Sequence, residues 1–426
     1  MAATAPIARH LLPDGAAVGK GGELTVAGVA LSAVAEEFGT PFFLYDEQHL
    51  RARCREAVAA FGPGAAYATK AFLCKAMAAL AAEEGMTLDV ATGGELAVAL
   101  AAGVDPALLV LHGNNKSDEE LAAAFGAGVG RIIVDSFEEI RRLERLAPAK
   151  GAQRVSLRVT PGVEAHTHEF VMTGQEDSKF GFSLASGAAA EALRALHKVP
   201  GIVADGAHAH IGSQIFRLDA FEREVAVLAP FIVDNGLTEL SVGGGLGVAY
   251  LNDEHAPSIS KWAEVVRGAC ASAGIPSSVL LSAEPGRAIV ASAGLTCYRV
   301  GTIKELPGIR TYLAVDGGMS DNPRPVLYGS GYEAFLPRSP DAERPLAARI
   351  VGKHCESGDV LVHEAFLPGD VAVGDLLVTP VTGAYGFSMA SNYNRLARPP
   401  VLFARDGEVR AVVRRESIED LLRLEP

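Results

Sequence analysis

Tryptophan occurs once and cysteine five times in 426 residues. The cysteines (Cys54, Cys74, Cys270, Cys297 and Cys355) are odd in number and never form a CxxC pair, so neither a disulfide framework nor a zinc knuckle is indicated. A reducing cytoplasmic setting fits that usage. Apolar runs of the ~20 residues needed to span a bilayer are missing, and the opening MAATAPIARHLLPDG lacks the apolar core of a secretory signal. Neither membrane insertion nor export is expected. Positive charge is also short. Lys and Arg number 38 against 51 Asp and Glu, and the formal net charge of -13 argues against nucleic acid or an anionic membrane as partner. Internal repeats and low-complexity linkers are absent as well.

What is present belongs to a folded globular chain, with 49% hydrophobic and 21% charged residues. The length suits two domains at roughly 100 to 200 residues each. From about residue 64 to 290, short apolar strands alternate with amphipathic helical stretches. The strands read AAYATK, TLDVA, LLVLHG, RIIVDS, RVSLRV, GAHAHI, ELSVGG and VLLSAEP, and the helices between them include GELAVALAAG and SFEEIRRLERL. Eight strand-helix units predict an α/β fold of the (β/α)8 TIM-barrel type over residues 40–295, with an open doubly wound sheet as the alternative. After residue 295 strand-like runs broken by Gly, Pro and Asp predict a second, mostly antiparallel β domain over 296–426. The opening GGELTVAGVAL reads as a hairpin that could bring residues 1–39 to that domain.

Barrel enzymes carry their chemistry at the C-terminal ends of strands. Those ends hold Lys70, Asp89, His112, Asp135, Arg158, His210, the run Gly243 to Gly245, and Glu284. Lys70 is either a solvated strand-end lysine or a desolvated amine able to form a Schiff base with an aldehyde cofactor. SVGGGLG lets backbone N–H groups approach a phosphate, although a barrel-corner glycine run is the plainer reading, and its spacing fails the GxGxxG dinucleotide fingerprint. GGGLG and EPGR follow the seventh and eighth strands, where barrels often build a phosphate site. Glu284 is either paired with Arg287 or set against a cofactor ring nitrogen, which it would keep protonated.

HAHIGSQ places two histidines at the end of the sixth strand. His210, nearer the strand end, suits stacking on a flat cofactor, and His208 reads as structural. No metal is expected, because third and fourth ligands for the pair do not appear at suitable spacing. Most lone cysteines are inert core residues, but Cys355 stands between His354 and Glu356 in GKHCESGD, a polar loop from which a thiol could donate a proton. DNPRPVLYGS and VTGAYGFSMASNYN are further loops rich in Arg, Tyr, Asn and Gly, a composition that suits binding.

Nine motifs in register carry a resemblance: YATKAF, HGNNKS, GVEAHTHEF, HAHIGSQ, GGGLG, EPGR, DGGMSDNPRP, GKHCESGD and GAYGFSMASNYN. Together, from about residue 25 to the C-terminus, they resemble diaminopimelate decarboxylase, within the alanine-racemase-like fold type of pyridoxal-phosphate enzymes. The resemblance implies decarboxylation of meso-2,6-diaminopimelate to L-lysine and CO2, the last step of lysine biosynthesis. It also implies pyridoxal 5'-phosphate carried on Lys70, with His210 stacked on the ring and Glu284 at its nitrogen. Ser213, Gly245 and the loop Glu284, Pro285, Gly286, Arg287 would hold the phosphate, with Tyr385 beside it. Arg287, Arg324, Tyr328 and Tyr385 would bind the unreacting end of the substrate, Glu356 its amino group. Cys355 would donate the proton from the other subunit of a head-to-tail homodimer whose active site lies at the subunit interface.

Chemistry agrees with these roles. A diacid needs a cation for its distal carboxylate, and the guanidinium fork matches it. An ornithine or lysine decarboxylase of the same fold, the alternative along with a specialised-pathway relative, needs an acidic group there. A racemase is disfavoured by the carboxylate at Glu284, and a non-catalytic homologue by retention of Lys70 and Cys355.

Overall fold

The structure is a computed structural model describing residues 5–147, 152–163 and 177–426. Most of the motif GVEAHTHEF lies outside the described residues. Contacts divide the chain into a barrel unit, residues 53–247 and 257–288, and a β unit made of residues 1–52, 248–256 and 289–426.

The barrel strands are, in order, Ala66–Ala68, Thr87–Val90, Leu109–Leu111, Arg131–Val134, Gln153–Thr160, Ile202–His208, Glu239–Ser241 and Leu280–Ser282. Each pairs in parallel with the next, and a parallel bridge between Ala65 and Ala283 joins the last to the first. The sheet is therefore closed, and the open-sheet alternative falls. A two-residue strand, Phe182–Ser183, adds to the fifth. The strands are short because they are almost wholly buried. Residues 131 to 134, for example, are all inaccessible, which polar alternation would not allow.

Helices follow the strands and begin where the sequence supplies caps. Thr92, Ser117, Ser136 and Ser258 each accept the backbone N–H three residues on, and each such cap contributes about 1 kcal/mol. Outside the barrel Trp262 is fully buried between Phe61 and Phe221, with ring centroids 5.2 and 5.1 Å away. At the N-terminal rim Arg131 bonds Asp205 at 3.0 Å and the Ser156 hydroxyl at 2.6 Å, and pairs with Glu239 at 2.5 Å. Buried charge at that rim is thus matched within the scaffold, which is what buried charge requires.

In the β unit the main sheet runs Val360–Leu367, Leu346–Val351, Arg310–Val315, Gly294–Leu306, Phe42–Asp46, Val401–Arg405, Glu408–Val413, with Leu376–Pro380 also paired to Gly294–Leu306. Most neighbours are antiparallel, and two pairs are parallel. Phe42–Asp46 stands with this sheet because its two edges pair with Gly294–Cys297 and Val401–Ala404, and the contacts divide the chain after residue 52. The N-terminal segment forms its own three-stranded sheet instead of extending the main one. Its hairpin turns at Ala27 (φ 50°) and Gly28 (φ 87°), two left-handed residues in the turn favoured by strand twist. Among the described residues no helix is long and apolar enough to cross a membrane.

Candidate active site

Strands six, seven, eight and one are neighbours around the barrel, and their C-terminal ends carry most of the expected cofactor ligands. Lys70 lies in a turn just beyond the first strand, His210 and Ser213 beyond the sixth, Gly243 to Gly245 beyond the seventh, and Glu284 to Arg287 beyond the eighth. Three exit loops are sewn together at this rim. Gly243 O accepts Glu284 N–H at 2.7 Å and Gly245 O accepts Ile215 N–H at 2.9 Å. The approach is too close for side chains: a Cβ at Gly244 would lie 2.4 Å from Glu284 O, and one at Gly245, whose φ is 110°, would lie 2.3 Å from Gly212 O. Glycine is required here by contact and conformation together. Arg287, buried, donates from Nη2 to Ser213 Oγ at 2.9 Å.

The Glu284 carboxylate accepts His208 Nε2–H at 3.0 Å on one oxygen and Ser241 O–H at 2.8 Å on the other. Burial alone would raise its pKa, but His208, His112 and these hydrogen bonds hold it well below the usual carboxylate range. Burial also lowers His208. The attraction from the two histidines requires protonated rings, whereas the hydrogen bonds from His208 Nε2–H and Ser241 O–H do not, so where burial keeps the rings neutral it is the hydrogen bonds that favour the carboxylate. Burial pushes His112 down to about 4, against the pull of Glu284. His210 falls well below its ordinary value, through burial and then the Lys70 charge. Its Nδ1 accepts Gly244 N–H at 3.1 Å, which places the remaining proton on Nε2. Asp89 moves the other way, raised by burial and by Glu284.

Two expectations change. Lys70 is exposed rather than desolvated. His208 is not turned away from the mouth: residues two apart on a strand face the same side, and its Nε2 lies 3.0 Å from Glu284 while its ring meets that of His112 edge-on at 5.1 Å. One donor atom each from His112, His208 and Glu284 lies within 4.8 Å of the others, a three-donor group that contains only one histidine of the HxH pair. Asp89 and His112, named only as strand ends, complete this cluster, with His112 Nε2 3.5 Å from Asp89 Oδ1 and 3.9 Å from Glu284 Oε1. Neither makes a hydrogen bond through those atoms.

Arg324, Tyr328, Cys355, Glu356 and Tyr385 belong to the β unit. Arg324 opens a short helix, Arg324–Tyr328, and is buried. Its guanidinium lies 4.4 Å from the Tyr250 ring centre and donates to the Tyr332 hydroxyl. Neither tyrosine was singled out in sequence: Tyr250 is remote from Arg324 in the chain, and Tyr332 lies just past the end of the motif DNPRPVLYGS. Tyr385 is held at φ 60°. Cys355 and Glu356 are exposed.

A closed parallel barrel with a lysine, a glycine turn and a largely enclosed carboxylate on adjoining strand ends defines the barrel class of pyridoxal-phosphate enzymes. The family model described as pyridoxal-dependent decarboxylase, pyridoxal binding domain, matches residues 47–291. Diaminopimelate decarboxylase of Mycobacterium tuberculosis H37Rv is 46% identical over 425 residues, covering 95% of both chains. The crystal structure of diaminopimelate decarboxylase from M. jannaschii in co-complex with L-lysine is 30% identical, with a TM-score of 0.88 over 97% of this chain and 98% of that one. A lysine/ornithine decarboxylase from Vibrio vulnificus, complexed with putrescine, shares the fold at 23% identity and a TM-score of 0.74, over 88% of this chain and 97% of that one. The chain belongs to the pyridoxal-dependent decarboxylases and, within them, to the diaminopimelate decarboxylase family.

The rim fits that cofactor. Buried polar atoms without partners at Asp89, His112 and His208 call for a polar guest, Glu284 is ionised to meet a protonated ring nitrogen, and the glycine turn with the Ser213–Arg287 pair suits a phosphate.

Proposed function

We propose that this chain decarboxylates meso-2,6-diaminopimelate to L-lysine, with Lys70 Nζ holding pyridoxal phosphate. Bound there, the cofactor supplies an electron sink for the pair left behind when CO2 departs. The observation that carries the reading is Glu284, a largely enclosed carboxylate, its side chain 12% exposed, kept ionised by two donated hydrogen bonds on the rim that also bears Lys70.

The chain's own groups divide the work. Glu284 keeps a proton on the ring nitrogen by offering it a fixed negative charge. A neutral His210, with Nδ1 tied to Gly244, presents a flat uncharged face to the ring. Ser213, Arg287 and the N–H groups of the glycine turn take the phosphate. At the far end of the substrate Arg324 and Arg287, with Tyr328 and Tyr385, pair with the second carboxylate, and Glu356 takes the amino group beside it. This cationic set favours a diacid over ornithine or lysine. Cys355 Sγ delivers the proton that replaces CO2 at Cα, and a second copy of the chain in a head-to-tail homodimer supplies it. The setting is cytoplasmic.

Lys70→Ala tests the anchor. Borohydride reduction of the wild-type protein should leave the cofactor's mass on the peptide bearing Lys70, and the variant should show neither that adduct nor CO2 release from diaminopimelate. An adduct elsewhere, or surviving turnover, removes Lys70 from the role. A substrate panel read by CO2 release tests the diacid, and preference for ornithine or lysine would overturn it.

A further inference from the structure

The segment that carries Cys355 is exposed, yet its backbone is pinned from several sides. Asp359 accepts His354 N–H at 2.9 Å on Oδ2 and Met319 N–H at 2.6 Å on Oδ1. A Cβ at Gly352 would lie 2.4 Å from Gly318 Cα, so the two loops meet backbone to backbone. The buried His354 ring has Nε2 2.8 Å from Ser320 Oγ and Nδ1 3.2 Å from Asn394 Oδ1. That same Asn394 oxygen accepts Cys355 N–H at 3.2 Å.

These contacts set the donors around Asn394. A backbone N–H can only donate, so the Asn394 atom facing Cys355 is its oxygen. An oxygen there requires a proton on His354 Nδ1. His354 Nε2 faces Ser320 Oγ, whose hydroxyl also lies 3.4 Å from Asp321 Oδ1. Asn394 reaches this position in the left-handed region, at φ 52° and ψ 23°, with Arg395 left-handed after it at φ 58°. Asparagine tolerates that conformation better than most residues, and such strain persists where surrounding contacts enforce it.

We infer that Asn394 is a positioning residue for Cys355. By accepting the Cys355 N–H it fixes that peptide plane, and so the direction in which the Cα–Cβ bond carries the thiol. It acts through the backbone and touches neither substrate nor cofactor. The inference rests on reading Cys355 as the proton donor.

Three variants of the full-length, cofactor-loaded protein separate the parts. Asn394→Ala removes the acceptor and the tolerance of left-handed backbone. Asn394→Gly keeps the conformation without the acceptor, and Asn394→Asp restores an acceptor oxygen. Hydrogen exchange resolved to the Cys355 amide is read beside kcat and KM. Expected is roughly tenfold faster exchange in the Gly and Ala variants, equivalent to about 1.4 kcal/mol of lost protection. A several-fold fall in kcat at unchanged KM should accompany it, with both effects reversed in Asn394→Asp. Unchanged exchange in Asn394→Gly overturns the clamp. Faster exchange with unchanged kcat, where Cys355→Ala is itself slowed, overturns the positioning role. If Cys355→Ala is not slowed, the donor role falls on its own account, and the exchange result still decides whether Asn394 holds the loop.

Discussion

At the barrel rim Glu284, His112 and His208 are enclosed, with protonation fixed by burial and by one another, whereas Cys355 and Glu356 lie exposed on a loop whose order comes from side chains accepting backbone N–H groups. The first arrangement spends folding free energy to keep charge out of water, so that a guest meets dipoles already aligned. The second keeps its reactive groups in water and orders only the chain beneath them. Removing a group from the rim should therefore cost far more than removing one from the loop.

Glu284→Gln is the sharpest way to break that contrast. Glutamine presents an amide donor to a site where His208 N–H and Ser241 O–H already donate, and it carries no charge for a ring nitrogen. Turnover should fall about 10² to 10³-fold, or about 3 to 4 kcal/mol, as for other preorganised groups. CO2 release at saturating cofactor measures it, and a loss under about tenfold would place the rim on a level with the loop. Gly245→Ala comes next. Its φ of 110° and the 2.3 Å approach of a Cβ to Gly212 O force one exit loop to move, at about 1 to 3 kcal/mol of strain. Cofactor retention after dialysis should fall about tenfold or more, and retention equal to wild type would remove the glycine turn from the phosphate site.

The same contrast explains what could be read in the sequence. All eight barrel strands were legible because burial on both faces writes them as apolar runs between capped helices, and strand ends then locate Lys70 and Glu284. His208 was misread because strand alternation separates adjacent residues and not residues two apart, and its bond to Glu284 is a contact with a different strand end. Phe42–Asp46 lay inside the span assigned to the barrel, and only its pairing with Gly294–Cys297 some 250 residues later assigns it to the β unit. Tyr250 and Tyr332 enclose Arg324 from separate segments, a relation that no local pattern encodes. Asn394 stood inside a recognised motif, but its left-handed backbone and its bond to Cys355 are tertiary facts.

Tyr332→Phe probes the buried part of the β unit. It deletes the hydroxyl that receives Arg324 Nη1 and leaves the ring, so the guanidinium keeps its charge and loses one constraint. KM for the diacid should rise about fivefold with kcat unchanged, near 1 kcal/mol for one hydrogen bond. A fall in kcat instead would tie Tyr332 to the reacting end.

The smallest effect concerns pH. Asp321 is buried 1% exposed beside Gly318 and Ser320, and burial, with the charges of Asp316 and Asp359, pushes it up to about 7 despite the N–H it accepts from Gly318. Its folded pKa therefore lies above the ordinary carboxyl value of about 4. The unfolded chain ionises first, so the stability this group contributes is full below about pH 4 and is lost as pH rises through about 7. Asp321→Asn keeps an oxygen for Gly318 N–H and cannot ionise. The unfolding midpoint of the variant should fall less steeply between pH 4 and 8, gaining a few degrees on wild type above pH 7, by calorimetry across that range. Parallel curves would mean that Asp321 is not the titrating group. Glu284, held well below the carboxylate range, stays ionised throughout the same interval. A midpoint that shifts with Asp321 while turnover per folded molecule does not would then separate the two regions by their protons as well as by their exposure.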